Sequence, residues 1–331
     1  MTTAILHQAT MTSDTLRRAL KSNIASQPYD WQATYPILAA LDDMETTRSA
    51  TIFPDDCPNT AHDAYLLNSL RMPIDTGLAI AQAAMLNIPA AKDDLLQRTN
   101  NPWFLLRPVH WQAGRDKVHL VALDDIDIQE TKALLDKIGP WLAEWNWHVH
   151  ITAPNQWFIR ATEPFDFNAP SLEIAASDQL EHFLPHGNEL NRWQTLLTEI
   201  QMAWFHHPVN QARQAIKKLP INSLWLDNAS SAINWTQASV EEWQTTRAQI
   251  QTFSNHEVHA HLSELNAALA PILIEINRTG TSKLTFLGDM WQQDIVFKKS
   301  AMFDRIKHKM RTHKAAPLQW LETPKFDFLG R

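Results

Sequence analysis

Residues 118–161 read VHLVALDDIDIQETKALLDKIGPWLAEWNWHVHITAPNQWFIRA, and this stretch decides the fold class. Val118, Leu120 and Ala122 alternate with more polar neighbours, the period of a strand with one buried face. Over residues 128–145 the period lengthens, and Leu134, Leu135, Ile138 and Leu142 fall on one face of a helix. Residues 146–152 and 157–161 return to strand composition, and Ala153-Pro154-Asn155-Gln156 between them is a turn by residue type. Strand, helix, strand, strand predicts an α/β protein, a mixed sheet flanked by helices.

Working outward, residues 190–205 form a helix with Leu196, Leu197, Ile200 and Trp204 as its buried stripe. Pro208 ends it, because proline disfavours helical backbone in the residue before it. A second helix over 209–218 stops at Pro220, and residues 221–226 read as a buried strand. Helices follow near 240–253 and 258–276, then a hairpin of 283–287 and 294–298 turning near Gly288-Asp289, then a basic helix over 301–313. On the other side the pattern is helical: a segment capped by Ser13 through Leu16, Leu20 and Ile24, then 37–44, 65–70 and 78–86. Breaks fall at 52–56 and at Asn100-Asn101-Pro102. The expected division is a mainly helical region, 1–100, and an α/β domain, 101–331.

Composition narrows the function. The chain has 331 residues, 44% hydrophobic and 20% charged, enough apolar material for a substantial core. No run of about 18 apolar residues is present, so no membrane span is expected. A single Cys57 and an N-terminus without a basic, then apolar, leader point to the cytoplasm. The net charge of -7 argues against broad binding to nucleic acid or anionic lipid. Seven glycines, scattered singly, allow no GxGxxG, no Walker A loop and no GxSxG elbow.

Three segments carry candidate chemistry. In His207-Pro208-Val209-Asn210-x-x-Arg213 a helix N-terminus stands beside a guanidinium, a workable anion site. The alternative is that Asn210 caps the turn and Arg213 pairs with a carboxylate. His256-x-x-His259-x-His261 has metal-like spacing, but His261 leaves the face that His256 and His259 share, so solvated histidines are the simpler reading. Residues 298–314 hold seven Lys or Arg against Asp304, a stretch that either touches phosphate backbone through Lys307, Lys309 and Arg311 or is a solvated helix face. Trp193, Trp204 and Trp225 sit at core positions.

Together these residues resemble a family. Pro108-Val109-His110 with Arg115-Asp116, Gln156-Trp157-Phe158-Ile159-Arg160 and Leu184-Pro185-His186-Gly187 are similar to the RpfE-type bacterial regulatory proteins. So is the block from Trp193 through Glu199-Ile200-Gln201-Met202 to Arg213, with Pro220-Ile221-Asn222-Ser223-Leu224-Trp225-Leu226 after it. The resemblance covers roughly residues 100–230, and 260–320 weakly. Members of that family are often labelled cofactor-independent phosphoglycerate mutases, because His-Pro-x-Asn-x-x-Arg before an Asn-containing strand looks like a segment of the archaeal-type enzymes. Those enzymes have an alkaline-phosphatase-like core, two divalent metals and a serine nucleophile. The resemblance therefore implies a reduced core of that kind here.

Two departures stand out. Where the family has a glycine-rich turn, this chain has Asp227-Asn228-Ala229-Ser230-Ser231, and no Asp-Gly pair occurs anywhere in it. The expectation is a non-catalytic cytoplasmic regulatory or interaction protein with a protein partner, no cofactor, no metal and no catalytic residue. Its anion or partner site would be His207, Asn210, Arg213 and Asn222. The alternatives are a mutase-like phosphotransfer enzyme and a nucleic-acid binder using 298–314.

Overall fold

The computed structural model describes residues 3–8, 36–42, 44–52, 57–113, 118–176, 184–253, 258–287 and 291–299. Two compact units divide the chain, one of residues 1–53 and 245–331, the other of residues 54–244. The first unit opens with β1 (Thr3–Gln8), α1 (Pro36–Asp42) and β2 (Glu45–Ile52). The second supplies α2 (Ala61–Ser69), α3 (Ala79–Met85), α4 (Pro89–Gln97), β3 (Trp103–Ala113), β4 (Val118–Ala122), α5 (Ile128–Glu144), β5 (Trp147–Ala153) and β6 (Gln156–Ala161). It continues with α6 (Leu172–Ala175), α7 (Leu190–Phe205), α8 (Pro208–Ala215), β7 (Ser223–Ser230) and α9 (Gln237–Arg247), which crosses the division. The chain then returns to the first unit with β8 (Ile250–Phe253), α10 (Val258–Ala268), α11 (Ala270–Thr279), β9 (Thr281–Leu287) and β10 (Trp291–Lys298). The fold is α/β, with sheets flanked by helices.

The division runs along a different line from a helical 1–100 and an α/β 101–331. β1 and β2 belong to a sheet ordered β2-β10-β9-β1-β8, in which β1 lies parallel to β9 and β8 while β10 lies antiparallel to β9 and β2. The sequence ETTRSATI of β2 has β-branched residues but no apolar alternation, and its neighbour β10 supplies the ladder that makes it a strand. The stretch expected as one helix over 258–276 is two, α10 and α11, because Pro271 has no N–H to continue the ladder and stands in the first turn of a new helix. Residues 250–253 leave the expected helix to join β1 as β8. The segment 16–24, the turn at 288–289 and the helix expected over 301–313 lie outside the described residues.

In the second unit the sheet is antiparallel throughout, ordered β4-β3-β6-β5 with β7 also paired to β3. β3 is long enough to serve three neighbours: Trp103–Leu106 pairs with β6, Val109–Ala113 with β4, and β7 runs beside residues 103–109. Register then sorts the side chains. Phe104, Leu106, Trp157, Ile159, Leu224 and Leu226 share one face, packed with α5 and α7 through Leu134, Ile138, Leu142, Trp193, Leu196, Ile200 and Trp204. Trp103, Leu105, Arg107, Phe158, Arg160, Trp225 and Asp227 share the other. Trp193, Trp204 and Trp225 are all in the core, as their period requires.

α3 packs against β3 and β7, and Ser230 Oγ accepts the Ile80 N–H at 2.9 Å in the first turn of α3. Gly77 permits this approach. A Cβ there would collide with the Ala229 carbonyl and stand 2.8 Å from the Asn228 oxygen. Gly77→Ala should therefore lower stability by about 2–3 kcal/mol, measured by urea denaturation.

Candidate functional site

The segment from α7 to β7 turns twice within a few residues. Pro208 occupies the first position of α8, and His207 caps it by accepting the Val209 N–H on Nδ1 at 3.3 Å. Burial, with Lys137 nearby, lowers the pKa of that imidazole, which suits its acceptor role. Asn210 is 1% exposed; its Nδ2 donates to the Trp204 and Ile221 carbonyls at 2.9 and 2.7 Å, and its Oδ1 accepts the Ile221 N–H at 2.7 Å.

Arg213 is equally buried. Its Nε donates to the Leu219 carbonyl at 2.7 Å, Nη1 to Glu130 at 3.0 Å and Nη2 to Asp125 Oδ1 at 2.5 Å. That last bond holds the Asp125 carboxyl below its usual range. Glu130 works twice, since it also closes the capping box of α5 by accepting the Asp127 N–H. His110 Nδ1 lies 2.9 Å from the Pro220 carbonyl, which makes the ring nitrogen the donor. Asn222 imitates a peptide unit: its Oδ1 accepts the Trp111 N–H at 2.7 Å, and its Nδ2 donates to the Trp111 carbonyl at 3.0 Å.

The structure thus brings His207, Asn210, Arg213 and Asn222 to one junction. Residues 219–222 are fastened one after another: Leu219 by Arg213, Pro220 by His110, Ile221 by Asn210, and Asn222 by its own amide. Of the second reading of the motif, the pairing of Arg213 with carboxylates is seen, but the cap is His207, and Asn210 instead ties the end of α7 to Ile221.

A second polar cluster lies on the opposite sheet face. Asp227 is fully buried, and its Oδ2 accepts from Arg107 Nη2 at 2.5 Å and from the Leu172 N–H at 2.7 Å. Asn228 Nδ2 donates to Asp227 Oδ1 at 3.1 Å. Arg107 also meets Glu173 through Nη1 at 2.6 Å. Burial pushes the Asp227 carboxyl up to about 6 although Arg107 pulls the other way. Sequence reading noticed Asp227 only as a missing glycine turn. The available signal was one charge of each sign inside two apolar strand runs, Leu105-Leu106-Arg107 and Leu224-Trp225-Leu226-Asp227. A comparable node fixes α4. Burial would raise the Asp94 carboxyl, but bonds from Arg160 and Trp103 Nε1 hold it down at about 2.

Paired divalent ions need several oxygen or imidazole ligands around one point. Among the described residues no group of three or more His, Cys, Asp or Glu is placed to hold a metal ion, so these residues do not fit the metal pair implied by the mutase resemblance. His256 and the side chains of His259 and His261 lie outside the described set, as do Lys307, Lys309 and Arg311. Among the described residues no helix is long and apolar enough to cross a membrane.

No protein-family profile matches the chain, and no curated protein matches it significantly in sequence. Among solved structures, the PH0037 protein from Pyrococcus horikoshii matches over 98% of both chains at 8% identity with a TM-score of 0.40. The cofactor-independent phosphoglycerate mutase from Thermoplasma acidophilum matches over 91% of both chains at 12% identity with a TM-score of 0.34. These likenesses are weak resemblances to mutase-like folds, and at such values they carry no argument about what the chain does.

Proposed function

We propose that the chain is a non-catalytic interaction protein that acts by binding a protein partner, with the segment from His207 to Asn222 as scaffold. One observation carries this reading. A phosphate grip needs donors that are free to turn toward the ligand, whereas those of Asn210, Arg213 and Asn222 already hold the chain's own carbonyls and carboxylates. Recruiting Asn210 to a substrate would strand the buried Trp204 and Ile221 carbonyls, and recruiting Arg213 would break its pairing with Glu130 and Asp125. Beside the same junction, Met202, Phe205, Ile216 and Leu219 are apolar yet 43–69% exposed, which suits partner contact. The cytoplasmic setting is part of the proposal, and the single buried Cys57 supports it.

The test pairs an assay with a capture. Purified protein supplied with 3-phosphoglycerate and Mn²⁺ should show no turnover. A partner captured from the native cytoplasm should be lost with Phe205→Asp and Ile216→Asp, both folded by circular dichroism. Mutase turnover that Arg213→Lys abolishes at unchanged stability would replace this reading with phosphotransfer.

A further inference from the structure

We propose that β5 is a dimerisation edge, pairing with β5 of a second copy of this chain, antiparallel about a two-fold axis at Val149. Among the described residues β5 has one strand neighbour, β6, so along its other side alternate N–H and carbonyl groups point away from the sheet. Its sequence, WHVHITA, holds no Asp, Glu, Lys, Arg or Pro, the residues that keep edge strands from pairing. The edge of the other sheet differs, since β2 carries Glu45 and Arg48. Trp147, Val149 and Ile151 stand on the helix-covered face, opposite Ala161, Ile159 and Trp157 of β6. Trp157 is fully buried, yet Ile151 beside it is 40% exposed, with a strand on one side only among the described residues.

The sequence of the strand selects its occupant. Donors and acceptors spaced along a strand are answered by another extended backbone. Residues 147–151, Trp-His-Val-His-Ile, read alike in both directions, with a histidine on either side of Val149 and a large apolar residue beyond each. A two-fold axis uses that symmetry. It sets Val149 against itself, His148 against His150 of the other copy, and Trp147 against Ile151. Each exposed Ile151 thereby gains an apolar neighbour, and no carboxylate, ammonium or guanidinium of β5 meets its like. The shared segment also ends where the ladder is regular. β5 pairs evenly with β6 from Trp147 to Ile151, and its register shifts only between Ile151 and Ala153, outside the segment. The strand is already held in place. His150 stacks on Trp103 at 5.6 Å, and in the turn that follows, Thr131 Oγ1 and Trp157 Nε1 donate to the Pro154 carbonyl at 2.6 and 3.0 Å. Pairing therefore costs little further ordering. This inference stands apart from the partner-binding proposal, because it uses a sheet edge and not the surface beside His207 to Asn222.

The experiment is sedimentation velocity on the full chain over a series of loading concentrations, which should show a monomer–dimer equilibrium. Ile151→Lys should raise the dissociation constant by about tenfold or more, since it removes the contact with Trp147 of the second copy. Its melting temperature at a concentration where both proteins are monomeric should match that of the unsubstituted chain, because the side chain is already part-exposed. Oxidative cross-linking then reads the register. Val149→Cys places two thiols about 5 Å apart by Cα across the axis, within disulfide reach. Ile151→Cys places them about 14 Å apart, out of reach. The native Cys57 is buried and serves as background in both. Val149→Cys should therefore form a covalent dimer and Ile151→Cys should not. Phe205→Asp should dimerise as the unsubstituted chain does, which separates this edge from the partner surface. The proposal is overturned by a chain that is monomeric at every concentration, or by a dimer that Ile151→Lys leaves intact or Phe205→Asp dissolves. Cross-linking of Val149→Cys no greater than that of Ile151→Cys would overturn it as well.

Discussion

Replacing Arg107 with methionine should cost about 3–5 kcal/mol of stability at pH 7.5, and clearly less at pH 5. The guanidinium is the only cation bonded to Asp227 among the described residues, and Asp227 has no exposure to water. Without it an anion would be left buried with only the Leu172 N–H and the Asn228 amide. Glu173 also loses its partner, but it remains largely hydrated and matters less. The pH dependence follows from the direction of the Asp227 shift, from 3.8 up to about 6. Between those values the folded state holds the proton more tightly than the unfolded chain. The contribution of this group to stability therefore declines as pH rises through the window. Methionine at 107 extends the window upward, because the cation that favoured the ionised form is gone. Asp227→Asn should abolish the slope, and the double variant Arg107→Met with Asp227→Asn should regain most of what the single change loses. Urea denaturation at both pH values reads all four proteins. A loss from Arg107→Met that the second substitution does not recover would show that the side chain acts through packing alone.

The junction between α8 and β7 makes the second large effect. Arg213→Met should cost about 3 kcal/mol, and Asn210→Ala about 2–4 kcal/mol. Arg213→Met removes donors from the Leu219 and Asp125 carbonyls and from Glu130, while Asp125 itself keeps its water. Asn210→Ala strips both the N–H and the carbonyl of Ile221, together with the Trp204 carbonyl, in a place that water does not reach. Lysine at 213 should recover little, since one ammonium cannot span a carbonyl and two acids that lie on different sides of a planar fork. An anion grip would behave oppositely, losing phosphate affinity at unchanged stability.

Periodicity carried the elements whose faces are sharply divided. α5 and α7 are amphipathic over four turns or more, and the strand–helix–strand–strand order of residues 118–161 stands as read. β2 was illegible for a physical reason, since a threonine-rich edge shows no buried alternation and becomes a strand only beside its partner. Motif reading found the right residues at 207–222 and left their role open, because a spacing does not say whether a guanidinium looks inward or outward. Arg107 and Asp227 were missed because each is a single charge in an apolar run, and only the register of β3 on β7 sets them on the same face.

β1 has a further consequence. Its two neighbours, β8 and β9, are encoded only after the whole of residues 54–244. On a ribosome, the inserted unit can complete its antiparallel sheet while β1 still waits for strands that have not been made. Such late closure is slow, and it leaves β1 open to chaperones or to unwanted partners until β8 and β9 have been made.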